Sequence, residues 1–307
     1  MEHPWIQSIQ AADLSQQSKI MYFGIIKSIR ELDPAKGLEE IVLNPKRTMM
    51  LIFKKTQSAK TRKLYLATVK ALAKHAKLSS LPEYQQALEV WDAQFRILDK
   101  LINDEYERAE PNEREKQQWV QWQDVLALEK KLAGDEATFG STPHLLLAMY
   151  CFVPPQRQDY GSVRLVLQQP QTSGEDYLLI PKRGSGAGRV CLHDRKTART
   201  MGVYHGEIPA SLVSVIVQSL KLNPRHFLFE KSEGGAFVSK TQFRDFSNAT
   251  LMKLFKKRMG VSTLRHSFIS ELDYNRLSPA QLKAIAYAMG HDPRQQQLYR
   301  RLGMSSN

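Results

Sequence analysis

Residues 278–303 carry two helix start signals back to back, and that punctuation limits the possible folds more than any other stretch of the chain. Ser278, Pro279 and Gln281 give an N-cap, a first-turn proline and a capping-box partner. Leu282, Ile285, Ala286 and Met289 follow at helical spacing, and Gly290 ends the run. Asp292, Pro293 and Gln295 repeat the start signal at once. The spacing predicts a helix ending at Gly290, with His291 just past its C-terminus, and then a short helix that carries Tyr299 and stops near Gly303. An Arg-His pair, Arg265 and His266, lies a little upstream.

The chain has 307 residues, 42% hydrophobic and 24% charged, which leaves room for two domains and argues against disorder. Lys and Arg number 44 against 31 Asp and Glu, a formal charge of +13, which favours a polyanionic partner: nucleic acid or an anionic membrane surface. No apolar run is long enough to span a membrane, and the N-terminus lacks the apolar stretch of a signal peptide, so the expected compartment is the cytoplasm of a prokaryotic host or a eukaryotic nucleus, not the exterior. Cys151 and Cys191 both sit in apolar runs and read as buried free thiols in a reducing compartment. The eight histidines show no ligand spacing with cysteines, so a zinc module has no support.

Along the chain, residues 1–42 read as an N-terminal helical extension, with residues 20–29 helical and a turn at residues 33–37. Residues 43–80 then contain ten Lys or Arg and no Asp or Glu. Within them Tyr65, Val69, Leu72, Ala73 and Ala76 share one helical face, while Lys63, Lys70, Lys74 and Lys77 lie on the other. With Lys60 and Arg62, these cations are the expected DNA phosphate contacts, the alternative being a merely solvated face. A helix over residues 81–106 ends in a charged run, and Pro111 marks a break, giving a helical DNA-binding domain over 43–112 and a second domain over 113–307.

In the second domain Trp119 and Trp122 open a helix and read as core anchors, and residues 140–143 start another that stops at Pro154 and Pro155. Arg157 follows in a helix-to-strand loop, with Asp159 two residues on. Short strands are expected over residues 163–167, 177–180 and 189–193, then a hairpin turn containing Lys196 and a return strand. Residues 209–222 form an amphipathic helix, and Ser239 caps one over residues 240–259 with a basic far end.

The order Arg265-His266, Met289-Gly290-His291, Tyr299 resembles the C-terminal motif of the tyrosine recombinases, the phage integrase family. Two departures stand out: Ser262 occupies the place, three residues before the Arg, where the family usually has His, and the interval from His291 to Tyr299 is one residue shorter than is common. The resemblance extends over residues 60–302 and implies a mainly α fold with a small antiparallel sheet: a helical core-binding domain followed by a mixed α/β catalytic domain. It further implies that Arg157 is the first catalytic arginine, with Asp159 near the family's acidic position, and that a hairpin lysine, Lys196 rather than Lys182, is the general acid. Tyr299 is then the nucleophile, while Arg265, His291 and Ser262 bind phosphate. Arginine suits that task because it stays charged and donates paired hydrogen bonds. His266 reads as a packing residue behind Arg265.

The resemblance implies a site-specific recombinase or integrase of a mobile element, cleaving and rejoining double-stranded DNA through a 3′-phosphotyrosyl intermediate without metal or other cofactor, as dimers on each site and a tetramer in the synapse. The rival readings are a type IB topoisomerase, which uses a similar residue set to relax DNA, and a DNA-binding protein that keeps the fold without the catalysis.

Overall fold

The computed structural model describes residues 3–170, 174–182, 184, 186–304, and the chain divides into two compact units, Met1–Arg108 and Ala109–Asn307. Among the described residues no helix is long and apolar enough to cross a membrane.

The first unit is helical: α1 (Pro4–Ala11), α2 (Gln16–Arg30), α3 (Leu38–Leu43), α4 (Pro45–Lys55), α5 (Ala59–His75) and α6 (Pro82–Arg108). Residues 1–42 belong to the same core as the rest of the unit, because Ile9, Ile26, Ile29, Leu38 and Ile41 are buried with Leu66, Val69, Leu72 and Trp91. Each fully buried side chain of this kind contributes roughly 1.5–3 kcal/mol. Trp91 of α6 is fully buried, and its indole N–H finds the carbonyl of Val42 at 2.9 Å. The unit ends four residues before the break expected at 112.

The second unit contains α7 (Glu113–Gln118), α8 (Trp122–Ala133), α9 (Thr142–Cys151), β1 (Arg164–Val166), β2 (Tyr177–Leu179), β3 (Gly188–Leu192), α10 (Ala198–Met201), β4 (Tyr204–Ile208), α11 (Ala210–Leu222), α12 (Lys240–Phe255), α13 (Val261–Glu271), α14 (Pro279–Ala288) and α15 (Pro293–Gln297). Residues 144–150 of α9 are all buried, which makes α9 the central helix, packed by α8, α11 and α12. Pro154 and Pro155 cannot continue it, so the chain leaves the helix and passes through buried Gln156 and half-buried Arg157 toward β1. Trp119 and Trp122 are buried, and Trp122 meets Phe268 edge-on, as core anchors should.

The described sheet runs in the order β1-β2-β3-β4. Two of its pairings are antiparallel as expected, but β1 and β2 are parallel, with Arg164 opposite Tyr177. Alternating hydropathy reads the same in both directions along a strand, so it identifies strands without fixing their sense. Successive hairpins necessarily turn at opposite ends of the sheet, so the β2–β3 turn with Lys182 and the β3–β4 connection with Lys196 lie at opposite ends of β3.

Candidate active site

The two start signals act as read. Ser278 accepts from Gln281 N in a complete capping box, with Pro279 at the first helical position of α14; at α15 Asp292 accepts from Gln295 N ahead of Pro293, without the reciprocal bond. Gly290 adopts φ +68°; its N–H bonds Tyr287 O and the His291 N–H reaches back to Ala286 O. That is a Schellman motif, which requires the left-handed residue that glycine supplies.

Past this turn the C-terminal carbonyls of α14 gather side chains from distant parts of the chain. Arg195 Nη1 donates to Tyr287 O (2.9 Å), Gln156 Nε2 to Ala288 O, Arg265 Nη2 to Met289 O (3.0 Å) and Arg157 Nη1 to Gly290 O (3.3 Å). Four consecutive carbonyls thus take three arginines and a glutamine. A helix C-terminus has free carbonyls and the negative end of the macrodipole, so it attracts guanidinium groups without cancelling their full charge. None of the three arginines makes an ion pair with a carboxylate among the described residues. Asp159 is buried nearby, but Lys240 Nζ holds it at 3.3 Å. Burial pushes the Asp159 carboxyl up, against the pull of Lys240, Arg157 and Arg265.

Arg265 is 2% exposed and also donates to Pro155 O at 2.5 Å. Burial first, and repulsion from Arg157 second, bring its guanidinium down to about 10, so it remains charged at neutral pH. Its Nη2 lies 2.5 Å from His291 Nε2. Arginine offers only donors, so Nε2 accepts and the histidine proton resides on Nδ1. That Nδ1 is buried and has no partner among the described residues, which leaves it a free donor. Burial, Arg265 and Arg157 hold His291 at about 3, neutral in the working range.

Tyr299 lies one residue beyond the C-cap of α15, in the turn that follows, and not on the helix as the punctuation predicted. The physical reason is Arg301: its Nη1 takes Leu298 O and Arg300 O, both at 2.9 Å, satisfying carbonyls that a longer helix would have paired with its backbone. The other nitrogens of Arg301 fork onto Glu115 (3.1 and 2.9 Å), and its N–H meets Ser270 Oγ at 2.8 Å. Burial is the largest single influence on the Glu115 carboxyl and pushes it up, but the Arg301 hydrogen bonds, the Asn112 backbone N–H and the positive charge of Arg301 together hold the group below the ordinary range. The Tyr299 ring stacks on His266 (4.5 Å, 16°) and tilts against His291 (4.3 Å), with the Arg265 guanidinium 5.7 Å from its centroid. His266 Nδ1 donates to Tyr299 O at 2.7 Å. So His266 packs against the tyrosine itself, beyond its expected place behind Arg265; burial pushes it down to about 4. The hydroxyls of Tyr274 and Tyr287 bond the carbonyls of Ile269 (3.4 Å) and Val203 (2.9 Å), whereas the Tyr299 hydroxyl makes no hydrogen bond among the described residues.

Arg157, Arg265, His291 and Tyr299 are therefore brought together. Lys196 is exposed in the β3–β4 connection; its neighbour Thr197 lies so close to the α14 turn that a Cβ on Gly290 would stand 3.1 Å from Thr197 Oγ1. The Lys182 turn instead has Gly184 against Val217 of α11. Ser262 is exposed and makes no side-chain hydrogen bond to Arg265, His291 or Tyr299 among the described residues; it borders a cleft of about 250 Å³ with Asn112, Glu115, Trp119 and His266. Gln156, Arg195, Thr197 and the Arg301–Glu115 pair are structural participants that sequence reading missed. A lone Arg among charged neighbours gives no signal that it is buried.

The DNA-binding candidates lie in the first unit. Lys60 pairs with Glu105 (3.3 Å), Lys63 with Asp99 and Lys70 with Asp92 (2.7 Å), because α6 runs antiparallel to α5 and sets its carboxylates opposite the lysines. Arg62 is committed to Thr56 O, Phe53 O and Gln57. Lys74 and Lys77 alone of the six have no ion-pair or hydrogen-bond partner for their side chains among the described residues. The absence of acids held along the chain; it does not hold in space.

No protein-family model matches the chain, and no curated protein does. Solved structures do. The XerA recombinase aligns over 97% of this chain and 92% of its own at 13% identity, with a TM-score of 0.42, too low to carry an argument. The Tn1549 transposon integrase (residues 82–397), solved with circular intermediate DNA, aligns over 96% and 94% at 14% identity with a TM-score of 0.56. At such identity the likeness speaks to architecture: the chain has the tyrosine-recombinase fold.

Proposed function

We propose that the chain is a site-specific DNA recombinase that cleaves and rejoins duplex DNA through a 3′-phosphotyrosyl intermediate. One observation carries the reading: the C-terminus of α14 assembles Arg157 and Arg265, without carboxylate partners, beside His291 and a tyrosine whose hydroxyl makes no hydrogen bond among the described residues. Such a cluster suits a phosphate diester, whose non-bridging oxygens gain charge in the transition state. The DNA-bound state of the Tn1549 integrase, which shares the fold, supports duplex DNA as the partner.

In this mechanism Arg157 and Arg265 hold the non-bridging oxygens, and His291 Nδ1–H adds a neutral donor. Tyr299 Oη bonds to phosphorus as it gives its proton to solvent water, the P–O5′ bond breaks, and Lys196 delivers a proton to the departing O5′. The products are a 3′-phosphotyrosyl link and a free 5′-hydroxyl, and attack by a second 5′-hydroxyl reverses the chemistry on a new strand. The residues named need no metal for these steps. Ser262, which makes no side-chain hydrogen bond to this cluster among the described residues, has no phosphate contact in this mechanism. Exchange between two duplexes takes four such sites, hence two dimers in a tetrameric synapse.

The test is covalent trapping on nicked duplexes selected from a random pool by binding. Wild-type protein should give a denaturant-resistant adduct, and Tyr299→Phe should bind equally and give none. An adduct in Tyr299→Phe moves the nucleophile elsewhere; wild-type binding without any adduct makes the chain a DNA-binding protein only.

A further inference from the structure

We propose that Arg195 is a positioning residue for the general acid: it fixes the β3–β4 connection against the C-terminus of α14 and so sets where Lys196 lies. The inference rests on the reading of Lys196 as the acid. Arg195 is 4% exposed and holds the loop from both directions. Its Nε donates to Gly202 O at 3.2 Å, closing the connection on itself, and its Nη1 donates to Tyr287 O at 2.9 Å, binding it to α14. The guanidinium lies over the rings of Tyr287 (4.6 Å) and Tyr204 (5.3 Å), and the Tyr287 hydroxyl returns to Val203 O at the far end of the loop.

The other side of the loop is pinned separately. Asp176 Oδ1 accepts from His193 N (2.6 Å) and Asp194 N (3.0 Å), and Lys240 donates to Asp194 O. Between these anchors Lys196 is exposed and without a partner among the described residues, while Thr197 is seated beside Gly290. A proton donor on a mobile four-carbon stem acts only when its base is fixed, because transfer needs hydrogen-bond reach of the leaving oxygen. Arg195 is an expensive way to fix a loop for folding alone: it is a buried charge with no carboxylate, and its Nη2 lacks a partner among the described residues. Its tie to Tyr287 O couples the loop to the same helix end that holds Arg157 and Arg265.

A bridging 5′ sulfur separates positioning from folding, because a thiol has a pKa of about 8.5 and its thiolate leaves without an acid. On the best-cleaved duplex, Arg195→Met should slow cleavage about a hundredfold, the scale of a misplaced catalytic group, with unchanged DNA binding. On the same duplex with sulfur at the cleaved position its rate should return close to wild type. Lys196→Ala is measured alongside. Rescue of Lys196→Ala with none of Arg195→Met overturns the proposal alone; no rescue of Lys196→Ala overturns the reading of the acid and the proposal with it. Should Arg195→Met fail to fold, Arg195→Lys keeps the charge but loses the fork, and the same pattern of slowing and rescue decides.

Discussion

On α5, Lys60, Lys63 and Lys70 each face a carboxylate of α6, in pairs between a quarter and a half open to solvent. At the C-terminus of α14, Arg157, Arg195 and Arg265 face carbonyl oxygens instead. Pairs of the first kind contribute about 0–1 kcal/mol each, and their charge is cancelled locally. Cations of the second kind are held by dipoles, which fix their position; at Arg157 and Arg265 they leave net positive charge for an anion, and at Arg195 they anchor a loop. The count of basic residues along the chain pointed to the first cluster; the fold cancels Lys60, Lys63 and Lys70 there, leaves Lys74 and Lys77 without partners among the described residues, and gathers Arg157 and Arg265 at the second without a carboxylate.

The sharpest way to break this contrast is Arg265→Ala beside Lys63→Ala with Lys70→Ala. Loss of Arg265 should lower the single-turnover cleavage rate about 100- to 1000-fold, the scale for removing a preorganised donor from a developing oxyanion. The lysine pair should leave that rate unchanged, and similar losses in both variants would erase the distinction.

Acid should separate the two units next. His291 and His266 titrate at about 3 and about 4 when folded, burial being the first cause in each, against 6.5 for an ordinary histidine. Below pH 6.5 the unfolded chain therefore binds protons that the folded chain does not. Stability is intact above 6.5 and falls as the pH drops toward 4 and then 3, by at most about 1.4 kcal/mol per pH unit for each histidine. Hydrogen exchange followed at pH 7 and 4.5 should show protection lost first in the second unit; equal loss in both would put the acid-sensitive groups elsewhere.

Gly290→Ala tests the turn that assembles the arginines. An L-residue at φ +68° costs about 1–2 kcal/mol, and its Cβ would stand 3.1 Å from Thr197 Oγ1 and 3.6 Å from Arg157 Nη1. The melting temperature should fall by about 2–8 °C, with cleavage reduced as Arg157 and Thr197 are displaced; an unchanged melting temperature would mean the turn is not under this constraint.

The smallest effect concerns the paired lysines. Asp92→Asn with Asp99→Asn should cost at most about 1 kcal/mol per pair. If Lys70 and Lys63 reach phosphate once freed, the log-log salt dependence of binding should steepen by up to about 0.9 per contact. An unchanged slope assigns both lysines to solvent.

Local rules made much of the site legible. A proline, a cap and a glycine act within one turn of helix, so Ser278, Pro279, Gln281, Gly290, Asp292 and Pro293 place both ends of α14 and the start of α15, and with them His291, from sequence alone. The same locality explains the misplacement of Tyr299: Arg301 satisfies carbonyls through its side chain, an option invisible to hydropathy. Strand positions were readable, but the parallel sense of β1 and β2 was not.

By itself, the sequence determined where α14 starts and stops and where α15 and α12 start, which faces are apolar, and that Arg265, His291 and Tyr299 come in that order. Tertiary structure alone decided which charges remain uncancelled, because an ion pair depends on distance in space: Asp99 lies 36 residues from Lys63 along the chain, yet is bonded to it. It likewise decided that Lys196 and not Lys182 lies at the end of the sheet beside Gly290, and that Arg195 is buried with its guanidinium on a helix end. Burial and charge compensation belong to the packed molecule, and no pattern of neighbours along the chain encodes them.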